Sequence, residues 1–210
     1  MKKLLNLFIS FSLAIFIITS SVILALKFKN LYYYDVKKLN ISEMSGLSEE
    51  EIKLNYDYLI DYNLNNNVEK FHLPTMEYSK QGKIHFEEVR GIFQFIKKIF
   101  YISGIIAILG IILNIKNKDI KFLKTTSIIT ILLPIITAIP LLINFNYFFI
   151  KFHETVFSND YWMFDPDLDP VINILPEDVF FHIGILILLI ILMISIILQV
   201  SYRILNKRIK

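Results

Sequence analysis

Four long apolar blocks dominate the pattern of hydrophobic and polar positions along the 210-residue chain. They cover about residues 4–26, 99–115, 122–149 and 179–202. A hydrocarbon core about 30 Å thick needs roughly 20 helical residues, so each block is close to one bilayer crossing. The pattern therefore predicts an all-α membrane protein, a four-helix transmembrane bundle that forms a single integral membrane domain over residues 1–210.

The first block follows Lys2 and Lys3, as the apolar region of a signal peptide would. Its apolar run is well beyond the roughly 7 to 15 residues of such a region. We therefore expect this block to be an uncleaved membrane anchor.

The composition agrees with a membrane protein and excludes several other classes. Hydrophobic residues make up 55% of the chain, charged residues 20%, and the mean hydropathy is +0.55. These values are too apolar for an ordinary soluble domain. The formal charge of +3 comes without a basic stripe, so we expect no nucleic-acid partner. The chain has no Cys, which excludes disulfides, thiolate nucleophiles and iron–sulfur clusters.

Charge divides the connections between the apolar blocks into two groups. The two chain ends and the surroundings of the loop at 116–121 carry ten of the 22 basic residues but one of the 19 acidic residues. Segments 27–98 and 150–178 carry the other 12 basic and 18 acidic residues. Because cytoplasmic loops are enriched in Lys and Arg, we expect both termini and the short loop in the cytoplasm. Both long segments then face outward.

The first outer segment ends in a stretch with helical periodicity. Apolar residues recur at steps of three and four from residue 84 to 99, which predicts a helix along the outer interface that leads into the second span. His85 and Glu88 share one face of this helix, so the carboxylate could hold one imidazole nitrogen while the other faces a substrate. Arg90 points elsewhere. The alternative is a solvated interfacial helix with a charged outer face.

The second outer segment is rich in acidic, aromatic and proline residues, a composition typical of a fixed shape. Three familiar motifs fail in this chain. Phe157 stands where a His-Glu-x-x-His zinc site starting at His153 needs its second His. Pro170 stands where an EF-hand starting at Asp165 needs Gly, and no Gly-x-Ser-x-Gly elbow occurs in the sequence. These failures argue against a zinc protease, an EF-hand and an ordinary serine lipase, and we expect no metal and no cofactor.

Three further side chains of the outer side have two interpretations each. Tyr161 and Trp162, the only Trp of the chain, fit either substrate binding or an aromatic belt at the lipid headgroups. His182, at the outer end of the fourth span, is expected to form a hydrogen bond within the bundle, although ionisable residues at this depth are often functional.

The order of these features resembles the bacterial lipoprotein intramolecular transacylase family, Lit. The resemblance covers nearly the whole chain. It rests on the four spans and on two stretches. The first is His85-x-x-Glu88-Val89-Arg90 before the second span, and the other, before the fourth span, comprises His153 through Trp162, Phe164-Asp165-Pro166, Asp169 and Ile174-Leu175-Pro176-Glu177. In this family an Asp usually stands where this chain has Glu88, a departure that keeps the carboxylate on a longer arm.

The resemblance implies a membrane acyltransferase without a cofactor. Its substrate is a bacterial lipoprotein with a diacylglyceryl-modified N-terminal Cys, and one ester-linked acyl chain moves from the glycerol to the lipoprotein's own α-amino group. The product is a lyso-form lipoprotein. The partners implied are these lipoproteins and membrane lipid, and the location is the bacterial cytoplasmic membrane, with the active site on the extracytoplasmic side.

This reaction needs a general base, because an α-amino group with a pKa of about 7.7 to 8.0 is mostly protonated at neutral pH. The resemblance implies His85 and His153, either as base and acid or with one imidazole as an acyl carrier. The sequence leaves both routes open. Supporting or substrate-binding roles, which include donors to the oxyanion, are expected for Glu88, Arg90, Tyr161, Trp162, Asp165 and Asp169.

Two other functions compete with this interpretation. The first is a non-enzymatic membrane protein that binds a lipid or a partner protein through its outer segments, with both histidines as structural hydrogen-bonding groups. The second is a metal-dependent hydrolase that uses His85, His153 and either Asp165 or Asp169, although these spacings match no known zinc frame.

Overall fold

The computed structural model of the protein describes residues 2–68 and 70–209. Glu69 and Lys210, which were counted with the outer acidic and the cytoplasmic basic residues, lie outside the described residues. The described chain is helical and has no strand, which confirms the predicted all-α class. Its helices are α1 (Lys2–Lys27), α2 (Lys29–Lys38), α3 (Ile41–Ser45), α4 (Glu49–Leu64), α5 (Lys80–Lys116), α6 (Lys121–Ile143), α7 (Phe145–Val156) and α8 (Glu177–Ile209), with a 3-10 helix at Pro170–Ile174.

Four of these helices, α1, α5, α6 and α8, are long and apolar enough to cross a membrane. Their bounds differ from the predicted spans in two places. Helix α5 has 37 residues, so the predicted interfacial helix at 84–99 and the second span are one continuous helix. The predicted third span at 122–149 is divided, because α6 ends at Ile143 and α7 begins at Phe145. The side chain of Asn144 begins α7 by accepting a hydrogen bond from the Tyr147 N–H at 3.1 Å.

The chain forms two compact units, and the predicted single domain stays a prediction. The first unit comprises the described parts of residues 1–24, 96–140 and 185–210. Its helices approach closely where one of them carries a small residue, as is common between membrane helices. A Cβ atom added to Gly110 would lie 2.5 Å from the Ile9 side chain.

The second unit comprises residues 25–95 and 141–184 and contains every candidate site residue. Its core is aromatic and aliphatic, and the rings of Tyr32 and Tyr56 stack at 3.6 Å between centroids. Asp35, which is fully buried, accepts a hydrogen bond from His182 Nδ1 at 2.9 Å. This bond joins α2 to the start of α8. It gives His182 the structural partner that the sequence suggested.

Candidate active site

The two candidate catalytic histidines lie side by side. His85 is in the second turn of α5 and His153 is in the last turn of α7, and their ring centroids are 6.1 Å apart. Charge patterning predicts that they lie on the same side of the membrane, and the structure brings their rings close to each other. This pairing is the centre of the candidate site.

The start of α5, and with it His85, is held by Asp169. The buried Asp169 carboxylate accepts a hydrogen bond from the Ser79 backbone N–H at 2.8 Å, just before the first residue of the helix. A negative charge at this end also complements the helix dipole. The carboxylate packs directly on Gly82, where an added Cβ would lie 2.1 Å from Asp169 Oδ1. Only a glycine fits this close approach.

His85 is enclosed by aromatic rings and is 5% exposed. Its ring lies edge-on to Phe157 at 4.7 Å and to Phe164 at 5.4 Å, both from the segment that follows α7. His85 Nδ1 is shielded from solvent and has no hydrogen-bond partner among the described residues. A buried polar atom without a partner is costly and rare, and it often marks a functional group.

His153 has one ring nitrogen fixed by its own helix. Nδ1 lies 2.7 Å from the Phe149 carbonyl oxygen, four residues earlier in α7. A carbonyl can only accept, so Nδ1 carries the proton and Nε2 of the neutral ring carries the free lone pair. Burial lowers the pKa of His153 below its ordinary value of 6.5, and the bond to Phe149 opposes this only partly. The lowered pKa favours the neutral ring, in which Nε2 can accept a proton.

Aromatic side chains also surround His153. The rings of Phe149, Phe157 and Trp162 lie 4.3, 5.6 and 5.0 Å from it, measured between centroids. Trp162 thus lies against a candidate catalytic residue, and its role in substrate binding stays a prediction. A cleft of about 620 Å³ continues from Phe157 and Trp162 along α7, and it has a predominantly apolar lining that includes Ile150 and Met163.

Glu88 lies on the same face of α5 as His85 but holds a different partner from the one that the sequence suggested. Its Oε1 accepts a hydrogen bond from Asn159 Nδ2 at 2.8 Å, and no bond to His85 occurs. Its Oε2 is shielded from solvent and has no hydrogen-bond partner among the described residues. Asn159 in turn accepts a hydrogen bond from the Tyr161 backbone N–H at 3.1 Å, so the turn is held in shape.

In this structure Arg90 binds groups away from the two imidazoles. Its guanidinium donates to the carbonyl oxygens of Val68 and Asn65 and lies 4.5 Å from the ring centroid of Tyr62. These contacts tie the connection after α4 to α5. Arg90 donates to no group beside the two imidazoles in the described structure.

Asp165 is exposed and closes a turn, in which its Oδ1 accepts from the Asp167 N–H at 3.0 Å. The structure therefore brings His85, His153, Glu88 and Trp162 together, and it places Asp169 behind them as a support. The described residues contain no group of three side chains that could hold a metal ion.

Sequence reasoning missed several residues that shape this site. Phe149, Phe157 and Phe164 form the aromatic wall, Asn159 holds Glu88, and Gly82 admits Asp169. Phe157 was noticed only as the residue that breaks a zinc motif. Its place in an aromatic-rich segment beside His153 was the signal for a different role.

Comparison with known protein families shows which family the chain belongs to. The model of the lipoprotein intramolecular transacylase family, Lit, matches residues 7–181. The chain belongs to the Lit family. Its members are acyltransferases, so the protein is an enzyme, and the resemblance drawn from its outer segments is confirmed.

Solved structures agree with membership of the Lit family. The membrane integral Lit from Bacillus cereus is 41% identical, with 98% of this chain and 96% of that chain covered and a TM-score of 0.94. Two further structures of the B. cereus protein, with the substitutions H85R and H85A, match with TM-scores of 0.90 and cover 92% and 94% of those chains. The predicted four-helix integral membrane fold is thereby confirmed. No curated protein matches the chain.

Proposed function

We propose that this Lit protein moves an ester-linked acyl chain from the glycerol of a diacylglyceryl-cysteine lipoprotein to that lipoprotein's α-amino group, with His153 as the general base and His85 as its partner. The observation that carries the residue assignment is the pairing of the two imidazoles, 6.1 Å apart and walled by aromatic rings. The name of the B. cereus relative supports the reaction, and its substitution at a histidine that bears the same number supports His85.

His153 suits the role of a proton shuttle. The bond from Nδ1 to the Phe149 carbonyl fixes the ring and leaves the Nε2 lone pair for the substrate. The neutral amine attacks the ester carbonyl carbon, the new C–N bond forms, and the C–O bond to glycerol breaks. The proton lost by nitrogen passes through His153 Nε2 to the glycerol oxygen. One residue thus acts as base and then as acid, as a histidine oriented by a third group does in acyl transfer.

His85 suits a neutral hydrogen-bond donor to the ester carbonyl. A neutral imidazole donates at one nitrogen and accepts at the other, so it can stabilise the developing oxyanion without first being charged. Its burial among Phe157 and Phe164 keeps water from competing for that bond. Water exclusion matters doubly here, because water in the same place would hydrolyse the ester.

The apolar cleft beside His153 suits one acyl chain of the substrate. Its volume of about 620 Å³ lies within the range of small-molecule sites, and Ile150, Phe157 and Met163 give it an apolar lining. Holding the chain there would keep the ester beside the amine. Well-oriented groups gain about 7 kcal/mol or more over freely diffusing ones, which makes orientation the largest contribution we assign to the protein.

The charge distribution supports a site on the extracytoplasmic side of the bacterial cytoplasmic membrane. Segments 27–98 and 150–178, which supply the site residues, carry 12 basic and 18 acidic residues. The chain has no Cys, so one introduced thiol reports its own side. An impermeant maleimide added to intact cells should label S158C but not K118C, both of which are exposed positions. Labelling of K118C alone would reverse the orientation.

The histidine assignment is tested by mass spectrometry of a lipoprotein's N-terminal peptide after incubation with purified enzyme. His153→Ala should lower the rate of N-acyl product by about 10²- to 10⁴-fold, the usual contribution of a general base, and His85→Ala should also lower it strongly. His72→Ala is the matched control, because His72 is an exposed histidine of the same unit that pairs with Tyr78.

Near-normal rates in His153→Ala or His85→Ala would remove that residue from the mechanism. A wild-type enzyme that moves no acyl group would favour the binding protein instead. The acyl-carrier route makes a separate prediction, since acid-quenched enzyme should then carry an acyl mass on His153.

A further inference from the structure

Two enclosed polar atoms without partners lie on one face of α5, one turn apart. His85 Nδ1 and Glu88 Oε2 are both shielded from solvent, and neither has a hydrogen-bond partner among the described residues. Both side chains face the segment after α7, since His85 contacts Phe157 and Glu88 binds Asn159. Both atoms therefore lie on the side of α5 that packs against this segment.

The chemistry of the two atoms defines the kind of group that could bind them. An ionised carboxylate oxygen only accepts hydrogen bonds, and Nδ1 of a neutral imidazole accepts when the proton is on Nε2. A group that satisfies both must donate at least twice. A buried carboxylate is stabilised most by a cationic donor, because hydrogen bonds between charged groups are shorter and stronger than neutral ones.

No side chain of the described residues supplies that cation. Arg90, two positions after Glu88, is bound to carbonyl oxygens of the connection after α4. Lys83, on the same helix, lies 3.9 Å from Glu87, which points to solvent. Asn159 holds Oε1 of Glu88 and so aims Oε2 at a fixed place, which a flexible exposed carboxylate would not have.

We propose that Glu88, oriented by Asn159, is the receptor for the free α-ammonium group of the substrate, and that it makes the enzyme selective for lipoproteins with an unblocked amino terminus. This inference rests on the proposed function, because the reaction supplies the amine. The ammonium group donates one hydrogen bond to Glu88 Oε2 and one to His85 Nδ1. In that tautomer His85 carries its proton on Nε2, the nitrogen that can then donate to the ester.

The proton balance follows from this placement. One proton of the bound ammonium leaves through His153 to solvent, which makes the nitrogen a nucleophile. A second proton then passes through His153 to the glycerol oxygen as the ester bond breaks. The product nitrogen is a neutral amide with one N–H. It no longer attracts the carboxylate, so the same contact that captures the substrate favours release of the product.

The test measures binding without turnover. The probes are two diether analogues of a diacylglyceryl-cysteine peptide, one with a free amine and one N-acetylated, neither of which has an ester to transfer. Wild-type protein in detergent should bind the free amine about 10- to 100-fold more tightly, the range for a hydrogen bond to a charged group. Glu88→Gln should lose most of this preference, because only the His85 contact remains, and Glu88→Asp should retain it.

Glu87→Gln is the matched control, since it removes the neighbouring exposed charge and should leave the preference unchanged. Equal binding of both analogues by wild type, or a full preference in a folded Glu88→Gln, would overturn the proposal. Thermal unfolding of each variant shows whether it is folded. If Glu88→Gln is unfolded, a folded Glu88→Asp that binds both analogues equally would overturn the proposal. Failure here leaves the histidine assignments standing, because those are measured by product formation from the ester substrate.

Discussion

Replacing Gly82 by Ala places a methyl group where the Asp169 carboxylate now lies. The added Cβ would be 2.1 Å from Asp169 Oδ1, so the carboxylate must move and lose its 2.8 Å hydrogen bond with the Ser79 N–H. A hydrogen bond to a charged group contributes about 1.5 to 3 kcal/mol. Alanine is more favourable than glycine inside a helix by up to about 1 kcal/mol, which offsets part of this loss. We expect Gly82→Ala to lower the stability of the folded state by about 1 to 2 kcal/mol and to lower activity, because the turn that carries His85 shifts.

A double-mutant cycle separates this clash from a general intolerance of the position. Asp169→Ala alone should cost about 2 to 3 kcal/mol, from the lost bond and the lost charge at the helix start. In that background the methyl group meets no carboxylate, so Gly82→Ala should be neutral or stabilising. The two effects should thus be strongly non-additive, with a coupling of about 2 kcal/mol.

The assay is thermal unfolding in detergent, followed by circular dichroism, beside the product assay at a temperature where all variants are folded. Gly91→Ala is the matched control, since Gly91 is an exposed glycine of the same helix with no atom within 4 Å of an added Cβ. Its Tm should stay level or rise. Additive losses in the Gly82→Ala, Asp169→Ala double variant would refute the reasoning, and so would an unchanged Tm in Gly82→Ala.

Two further predictions concern pH and Arg90. Burial lowers the pKa of His153 below 6.5, and a base acts only while it is neutral. Between about pH 7.5 and 6.5 only the substrate amine gains a proton, so kcat/KM should fall about tenfold per pH unit in this range. The slope of log kcat/KM against pH should rise from one toward two only below pH 6.5, where His153 also gains a proton. A slope above one at higher pH would contradict the assignment. Arg90→Ala should lower Tm, because two hydrogen bonds to the chain after α4 and the contact with Tyr62 are lost, but kcat in the folded variant should stay within about threefold. A loss of kcat of about a hundredfold at unchanged Tm would instead make Arg90 an oxyanion donor.

The helices were largely predictable because their signals are local. Apolar runs of bilayer length marked all four spans, and the periodicity at 84–99 marked the outer part of α5. That part is continuous with the second span because no proline lies between Lys80 and Lys116. The end of α6 was not predictable from hydropathy, because the apolar run continues through Phe149. A single polar cap at Asn144 makes the break.

The site was predictable in its residue types but not in its contacts. The resemblance to the Lit family supplied His85 and His153, whereas their distance depends on how two remote segments pack. Glu88 shows the limit most clearly. Its helical spacing from His85 suggested a local pair, but its partner is Asn159, 71 residues later in the chain. Polar pairs between distant segments leave no periodic signature, so only the fold could reveal them. The supporting role of Asp165 stays a prediction.

The carbonyl group that orients His153 has a consequence for mutational screens and for evolution. The acceptor at residue 149 is main chain, so every amino acid except one that disrupts α7 presents it unchanged. A catalytic histidine that is oriented by an aspartate can be inactivated by substitution of that aspartate. The hydrogen bond that orients His153 has no side-chain acceptor that a substitution could remove. Saturation mutagenesis at Phe149 should therefore reveal only the packing requirements of its ring. Substitutions that remove the proposed base should be recovered almost solely at codon 153.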